Sequence, residues 1–388
     1  MNYKKGFLDL RKKLHQSSSC LVWFRWYLLG LFVVVLSFSN SSEAQFIGVP
    51  AIQNYEVNEY QAGIHNYQIT QDKRGVIFIA NNLGLLTFDG TNWDLLQVAN
   101  GTKVRSVYIQ ADGHVYVGAQ NELGYFFPDQ QGKYSYQSLK HLIPEEHQNF
   151  NDIWRIHEHE NRIIFTSSGN LFMLNGEDEQ IETLPSSELG HSFILREELL
   201  SKFANQPISV LEDNQWQDKF ANNFFKDMSV LAVLPNGQDQ EIIATQENGL
   251  FLQNHDQVAV FSPVYQAELI QYEISAAVQL GKGNYSVGTN SNGLYIFDRQ
   301  GSLIHHANDQ NGLLGRTIIS IFEDLEGSIW LGLSNGVSKL NWNYPFSFIN
   351  ESVGLPGTGY SAAFFNGQTY FATNNGVYRS NNGIGHIT

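Results

Sequence analysis

A glycine-centred unit recurs along the 388-residue chain every 40 to 45 residues, and this period restricts the available folds more than any other feature. The unit reads Asn82-Leu83-Gly84-Leu85, Glu122-Leu123-Gly124-Tyr125, Ser168-Gly169-Asn170-Leu171, Asn248-Gly249-Leu250, Asn292-Gly293-Leu294, Asn335-Gly336-Val337 and Asn375-Gly376-Val377. Successive glycines lie 40, 45, 80, 44, 43 and 40 residues apart, so the 80-residue interval conceals one degenerate unit near Gln206-Pro207. Strand-rich repeats of this length point to a β-propeller, in which each repeat buries its faces against its neighbours.

The local chemistry of each unit supports that reading. From Ile318 to Leu340 the chain alternates short β-branched and aromatic runs with Asp-x-x-Gly and Asn-Gly pairs, whose glycines supply the positive φ of tight hairpins. Similar stretches run from Ile69 to Phe88, Val107 to Phe127 and Ala276 to Phe297, and outer strands are expected at Trp93 to Val98, Tyr134 to Leu139 and Phe346 to Ile349. Four strands per unit make one blade. The fourth unit is the least regular: its inner strand is expected at His191 to Leu195, followed by a helical turn near Glu197-Glu198.

Seven units fit between His65 and Ile349, and an eighth begins at Tyr360. The expected architecture is all-β, a propeller of seven four-stranded blades over 45–350. Residues 351–388 then form the first blade of a second, incomplete propeller, which the prolines of the linker Asn341 to Gly357 favour over an eighth blade of one ring. Ile52 to Tyr60 repeats the character of Phe346 to Leu355 and is expected to supply an outer strand that closes the ring against the seventh blade, since an open ring leaves two unpaired edges.

Residues 1–44 read as a secretory signal peptide. Lys4, Lys5, Arg11, Lys12, Lys13 and Arg25 precede the apolar run Trp26 to Phe38, and Ser42-Glu43-Ala44 offers small residues for cleavage. A retained anchor is the competing reading, but the run falls short of the roughly 20 residues a bilayer requires. Cys20, the single cysteine, lies ahead of that run, so the mature chain has no thiol or disulfide chemistry. Losing six basic and two acidic residues takes the net charge from −15 to −19, a surface that repels nucleic acid. With 42% hydrophobic residues the chain has the means to bury a core.

Two stretches carry a family resemblance. Ile321 to Val337, with Glu323-Asp324, Gly327, Ile329-Trp330, Gly332 and Gly336-Val337, resembles the repeat of the two-component regulator propeller family, typical of Bacteroidetes. Asn58-Glu59-Tyr60 through Gln71 to Gly75, Ala80 to Asn82 and Phe88 to Trp93 is similar to the opening of relatives whose sensor precedes a triple-tyrosine domain. The resemblance spans 45–388 and implies an exported, non-catalytic propeller region that senses an extracytoplasmic ligand. It further implies downstream triple-tyrosine, membrane and output modules, all beyond this chain. The expected location is the periplasm, or tethered at the inner membrane in a full-length protein. The alternative is a secreted propeller hydrolase or lyase acting on polysaccharide.

In a propeller, loops leading into inner strands share one face with the turns joining second and third strands, and the Asp-x-x-Gly turns occupy the other. The first face is expected to hold His65, Asn66, Asn82, Arg105, Asn121, Asp152, Asn292, Arg316 and Tyr360. Arginine and amide groups suit a polar ligand such as a glycan, with Tyr67 or Trp154 stacking on it. The competing structural reading makes each asparagine before glycine a turn residue and the aromatics packing between blades.

Other chemistries find little support. Asp324 to Trp330 resembles a sialidase box only loosely, and two carboxylates facing across a cleft cannot be read from spacing. His157-x-His159 and His305-His306 lack a third ligand at recognisable spacing, so no metal is expected. Glu177-Asp178-Glu179 lacks the alternating oxygens of a calcium loop, and Gly281-x-Gly283 leads into a strand and cradles no phosphate. No cofactor and no catalytic residue is indicated, and oligomeric state is left open.

Overall fold

The computed structural model describes residues 48–176, 180–186 and 189–380; residues 1–44, read above as a signal peptide, Cys20 among them, and Glu177-Asp178-Glu179 lie outside these. The chain divides into two compact units, with residues 48–352 forming the larger. In that unit lie seven four-stranded antiparallel sheets. They are numbered here as blades 1 (66–96), 2 (104–138), 3 (153–185), 4 (189–218), 5 (230–260), 6 (274–307) and 7 (318–340). Their inner strands are Asn66–Gln71, Val104–Ile109, Ile153–His159, Leu189–Leu195, Val230–Asn236, Ile274–Gln279 and Ile318–Glu323. Each inner strand neighbours the next, and that of blade 7 returns to that of blade 1, so the succession closes into a propeller ring.

The turns work as their residue types require. In the Asp-x-x-Gly turn of blade 1, Asp72 Oδ1 accepts from the backbone N–H of Arg74 and Val76 at 2.9 and 3.0 Å. Gly75 there sits at φ +92° and Gly327 in the matching turn of blade 7 at +77°, conformations that side-chain-bearing residues resist. Between them the second strands run buried from end to end, as in Ile77–Asn81 and Ile329–Leu333.

Closure comes from the start of the ring. Ile52–Glu56 pairs antiparallel with Gly336–Leu340, from Ile52 opposite Leu340 to Glu56 opposite Gly336, and so supplies the fourth strand of blade 7. Tyr55 on this clasp lies parallel to Trp330 at 5.7 Å and edge-on to Phe88 and Trp93 at 5.3 Å, each contact contributing roughly 0.5–1.5 kcal/mol beyond burial. Ser338 Oγ also donates to Asn54 Oδ1 at 2.6 Å. Two expectations need correction here. Val57–Tyr60 is one helical turn, with the Glu59 carboxylate accepting from the Glu56 N–H, and does not extend the strand. Phe346 to Ile349 is no outer strand, because the clasp already fills that edge; the segment makes a single bridge, Val49 with Phe348.

Blade 4 also differs from expectation. The residues read as a helical turn form a hairpin instead: Arg196 and Glu197, both at positive φ, turn the chain into a second strand, Glu198–Phe203. Leu199, Leu200 and Phe203 are buried there, and packing overrides the helix preference of Glu-Glu-Leu-Leu. In the second unit the described residues form a three-stranded antiparallel sheet, Gly359–Phe365, Gln368–Thr373 and Gly376–Arg379.

Candidate functional site

Every inner strand of the ring carries an irregularity near its start. The register slips between Asn66 and Gln68, Val104 and Ser106, Ile153 and Arg155, Leu189 and Ser192, Val230 and Ala232, Ile274 and Ala276, and Ile318 and Ser320. Such bulges leave a residue outside the ladder and re-aim its side chain. In blades 1, 2 and 3 the bulged residues are Tyr67, Arg105 and Trp154, and they meet. The Arg105 guanidinium carbon lies 4.2 Å from the centre of the Tyr67 ring and 4.6 Å from that of Trp154. A guanidinium between two aromatic faces gains about 0.5–2 kcal/mol per ring, depending on solvent exposure.

Charge fixes the same arginine from the side. Arg105 Nε and Nη2 reach Asp152 Oδ2 at 3.1 and 3.0 Å, and Lys103 Nζ approaches that oxygen at 3.6 Å. With its side chain only 13% exposed, Arg105 is held and not free to swing towards a ligand. Asp152 Oδ1 is buried without a hydrogen-bond partner among the described residues. Trp154 remains 36% exposed, and His65 Nδ1 lies 3.5 Å from the Tyr67 hydroxyl at the edge of the cluster. What the cluster offers outward is therefore an aromatic platform stiffened by a buried cation.

Next along the inner strand of blade 3, Arg155 donates to the Trp154 carbonyl at 2.9 Å, and burial lowers its pKa. It makes no ion pair with a carboxylate among the described residues. His157 and His191 feel its charge: burial, and after it Arg155, push both imidazoles down to about 4, so both are neutral at neutral pH. His157 Nε2 lies 3.0 Å from Ser192 Oγ.

Among the residues singled out from sequence, the ring brings His65, Arg105 and Asp152 into one cluster with Tyr67 and Trp154. Asn66 is buried as scaffolding, donating to the Gly336 carbonyl at 3.0 Å and accepting from Asn81 at 2.8 Å. Asn82 and Asn121 brace neighbouring loops, accepting from the N–H of His65 at 3.0 Å and of Phe150 at 3.2 Å. Asn292 and Arg316 belong to blades 6 and 7 and are engaged separately, Asn292 with Glu268 at 3.1 Å and Arg316 with Asp309 at 2.6 Å. Tyr360 lies in the second unit, 72% exposed. Lys103 and Arg155 were not singled out; their proximity to Arg105 and Trp154 in sequence was the available signal.

The remaining motifs resolve into structure. Asp324 accepts two turn N–H groups and the Trp330 Nε1–H at 2.9 Å, which accounts for the box-like sequence around it. His306 Nε2 lies 2.8 Å from the Asn292 carbonyl, and His305 packs by Trp342. No group of three metal-ligating side chains occurs among the described residues. Gly283, at φ +78°, turns a hairpin beneath Arg299.

No family model and no curated protein matches the chain. Solved structures similar to it include the extracellular domain of BT4673 from B. thetaiotaomicron, assigned to a hybrid two component system, at 18% identity and TM-score 0.60. That match covers 85% of this chain and 46% of the other. The extracellular domain of BT3049 from the same organism, assigned likewise, matches at 18% identity and TM-score 0.64, over 86% of this chain and 48% of that one. A streptogramin B lyase matches at 13% identity and TM-score 0.58, over 77% and 99%. The kind of regulator suggested by the repeat sequence is thus also found among the structural neighbours. The chain has a β-propeller fold shared with extracellular domains of such regulators, and spans about half their length.

Proposed function

We propose that this chain is the extracytoplasmic, non-catalytic sensing region of a signal-transduction regulator, and that its ligand docks where the inner strands of blades 1 to 3 begin. The observation that carries this is the Tyr67–Arg105–Trp154 stack locked by Asp152. Arg105 and Asp152 are spent on one another, so the stack presents a rigid aromatic surface. A sugar ring, with an apolar face and polar rim, fits that description. Support also comes from the repeat resemblance, the amino-terminal export signal and the fold shared with two extracellular domains. Among the described residues no helix is long and apolar enough to cross a membrane.

On this reading the sheet 359–379 begins a second propeller; its first strand has the ring's bulge, between Gly359 and Ser361. Triple-tyrosine, membrane and output modules would act downstream. The test is titration of the exported chain with neutral and acidic oligosaccharides by calorimetry. Trp154→Ala is expected to weaken binding about tenfold or more, in line with loss of a stacking anchor. Binding that is absent throughout, or indifferent to Trp154→Ala, overturns the proposal. A second reading, a secreted hydrolase or lyase acting on polysaccharide, draws on the fold shared with a streptogramin B lyase. It requires turnover that disappears in Arg105→Ala or Arg316→Ala.

A further inference from the structure

One position in the second strand is small in six of the seven blades. Ala80, Gly118, Thr166, Ala244, Gly288 and Gly332 face Leu85, Leu123, Leu171, Leu250, Leu294 and Val337 of the third strand. The reason is space: a Cβ on Gly118 would meet Ile153 of the next inner strand at 2.4 Å, and one on Gly288 would meet Ile318 at 2.6 Å. In blade 4 the equivalent residue, opposite Ile208, is Lys202. The bulge sets Gly190 and His191 opposite Lys202, between the pairs Leu189–Phe203 and Ser192–Ser201.

Lys202 is 5% exposed. Its Nζ donates to the carbonyls of Phe203 at 2.7 Å and Lys226 at 2.9 Å, and no carboxylate lies within ion-pair distance among the described residues. An ammonium has three hydrogens to give, so one is uncommitted. Lys202 borders a cavity of about 290 Å³ that Gly190, His191, Lys226, Asp227 and Ser229 also line. Neither ring nitrogen of His191 has a hydrogen-bond partner among the described residues, and its Nδ1 is shut off from water. Lys226 is exposed at the cavity edge. In a chain of net charge −15, a buried cation beside an open cavity, with a spare hydrogen and no carboxylate within ion-pair distance among the described residues, is a place for an anion.

We propose that blade 4 holds a binding site for the carboxylate of a small acid or acidic sugar, seated on Lys202 with His191 and Lys226 at its flanks. The charge balance selects a monoanion. His191 is neutral at neutral pH, so Lys202 is the buried cation on the cavity wall; burial lowers its pKa against the opposing pull of Asp227, whose carboxylate, also on that wall, disfavours a more highly charged guest. The site is distinct from the aromatic stack and does not depend on the sensing assignment.

The test titrates the full chain with sodium galacturonate, galactose, methyl sulfate and inorganic phosphate at fixed ionic strength. Calorimetry gives affinity and thermal unfolding gives stabilisation. Galacturonate is expected to bind and to raise the unfolding temperature, and galactose, which lacks the carboxylate, is not. Removing the opposing charge with Asp227→Asn should tighten galacturonate binding about threefold, and Lys226→Gln should weaken it about threefold, as exposed charges at a cavity rim do. Lys202→Gln should reduce it more than about tenfold. Because Lys202 is buried, the two exposed variants keep the test decisive if Lys202→Gln fails to fold. Equal behaviour of galacturonate and galactose, or unchanged affinity in both Asp227→Asn and Lys226→Gln, overturns the proposal. Methyl sulfate or phosphate binding more tightly than galacturonate overturns the carboxylate assignment.

Discussion

Blades 7 and 4 follow the same four-strand plan with opposite kinds of sequence. Blade 7 has the Asp324 turn, Trp330 clamped to it, Gly332 where the neighbouring blade presses close, and a fourth strand taken from the start of the ring. Blade 4 has no glycine at its central turn and a lysine where Gly332 would be. In the other blades except blade 3 the second strand packs against the following inner strand, as Ile77–Asn81 does on Val104–Ile109, whereas Arg162–Ser167 makes little such contact with Leu189–Leu195 and Glu198–Phe203 little with Val230–Asn236. Blade 4 is held by its ladder and by the packing of Leu195, Leu200, Ile208 and Val210 with Val230 and Val233 of blade 5, so the relaxed position beside them is open to other uses.

The comparison can be broken or sharpened by four measurements. The largest effect is expected at the clasp: Tyr55→Ala removes a buried ring that touches Trp330, Phe88 and Trp93, and should cost about 3–5 kcal/mol in urea unfolding. Next come reciprocal exchanges at the small position. Gly332→Ala drives a Cβ to within 2.4 Å of the Asn66 carbonyl and should cost about 2–3 kcal/mol, while Lys202→Ala should cost about 1 kcal/mol, the value of ordinary hydrogen bonds lost. Equal costs would show that blade 4 is no more relaxed than blade 7.

A third, smaller effect is a pH dependence confined to blades 3 and 4. Burial holds His157 and His191 near 4, below the ordinary 6.5 of an exposed imidazole, so within that window the unfolded chain takes up protons that the folded chain refuses. Their contribution is complete above about 6.5 and is lost as pH falls towards 4. The unfolding midpoint should fall over that range, and His157→Gln with His191→Gln should flatten the slope; an unchanged slope would remove these two groups as its source. The smallest effect separates two arginines. Arg316→Ala should leave the midpoint unchanged because its pair with Asp309 is exposed, whereas Arg105→Ala should lower stability by about 1–2 kcal/mol through its two rings and Asp152.

The repeating parts of the fold were legible because their residues act locally. Asp72 with Gly75 and Asp324 with Gly327 make their turns within five residues, and the closing strand Ile52–Glu56 was expected because an open ring leaves two unpaired edges. The aromatic stack was only half legible. Sequence placed Tyr67, Arg105 and Trp154 near one face, but their contact depends on three bulges in three blades, and a one-residue slip leaves no mark in composition. The same spacing suggested Asn66 and Asn292 as ligand contacts, although both are consumed by internal bonds that form only when distant loops converge. Lys202 was overlooked because Glu-Glu-Leu-Leu reads as helix; set beside Ala80, Gly118, Thr166, Ala244, Gly288 and Gly332, it stands out at once.

The clasp also determines how the ring responds to force. Val49 and Phe348 exchange backbone hydrogen bonds at 2.8 and 2.7 Å, where the chain enters and leaves the ring, and the antiparallel ladder from Ile52–Leu340 to Glu56–Gly336 continues from there. Tension applied at these two points loads the pairs one after another from the Val49 end, as in opening a zipper, and does not shear all of them together. The remaining blades carry no load until the last pair parts. Traction on the chain would thus be felt first, and at low force, at the seam between its first and last strands.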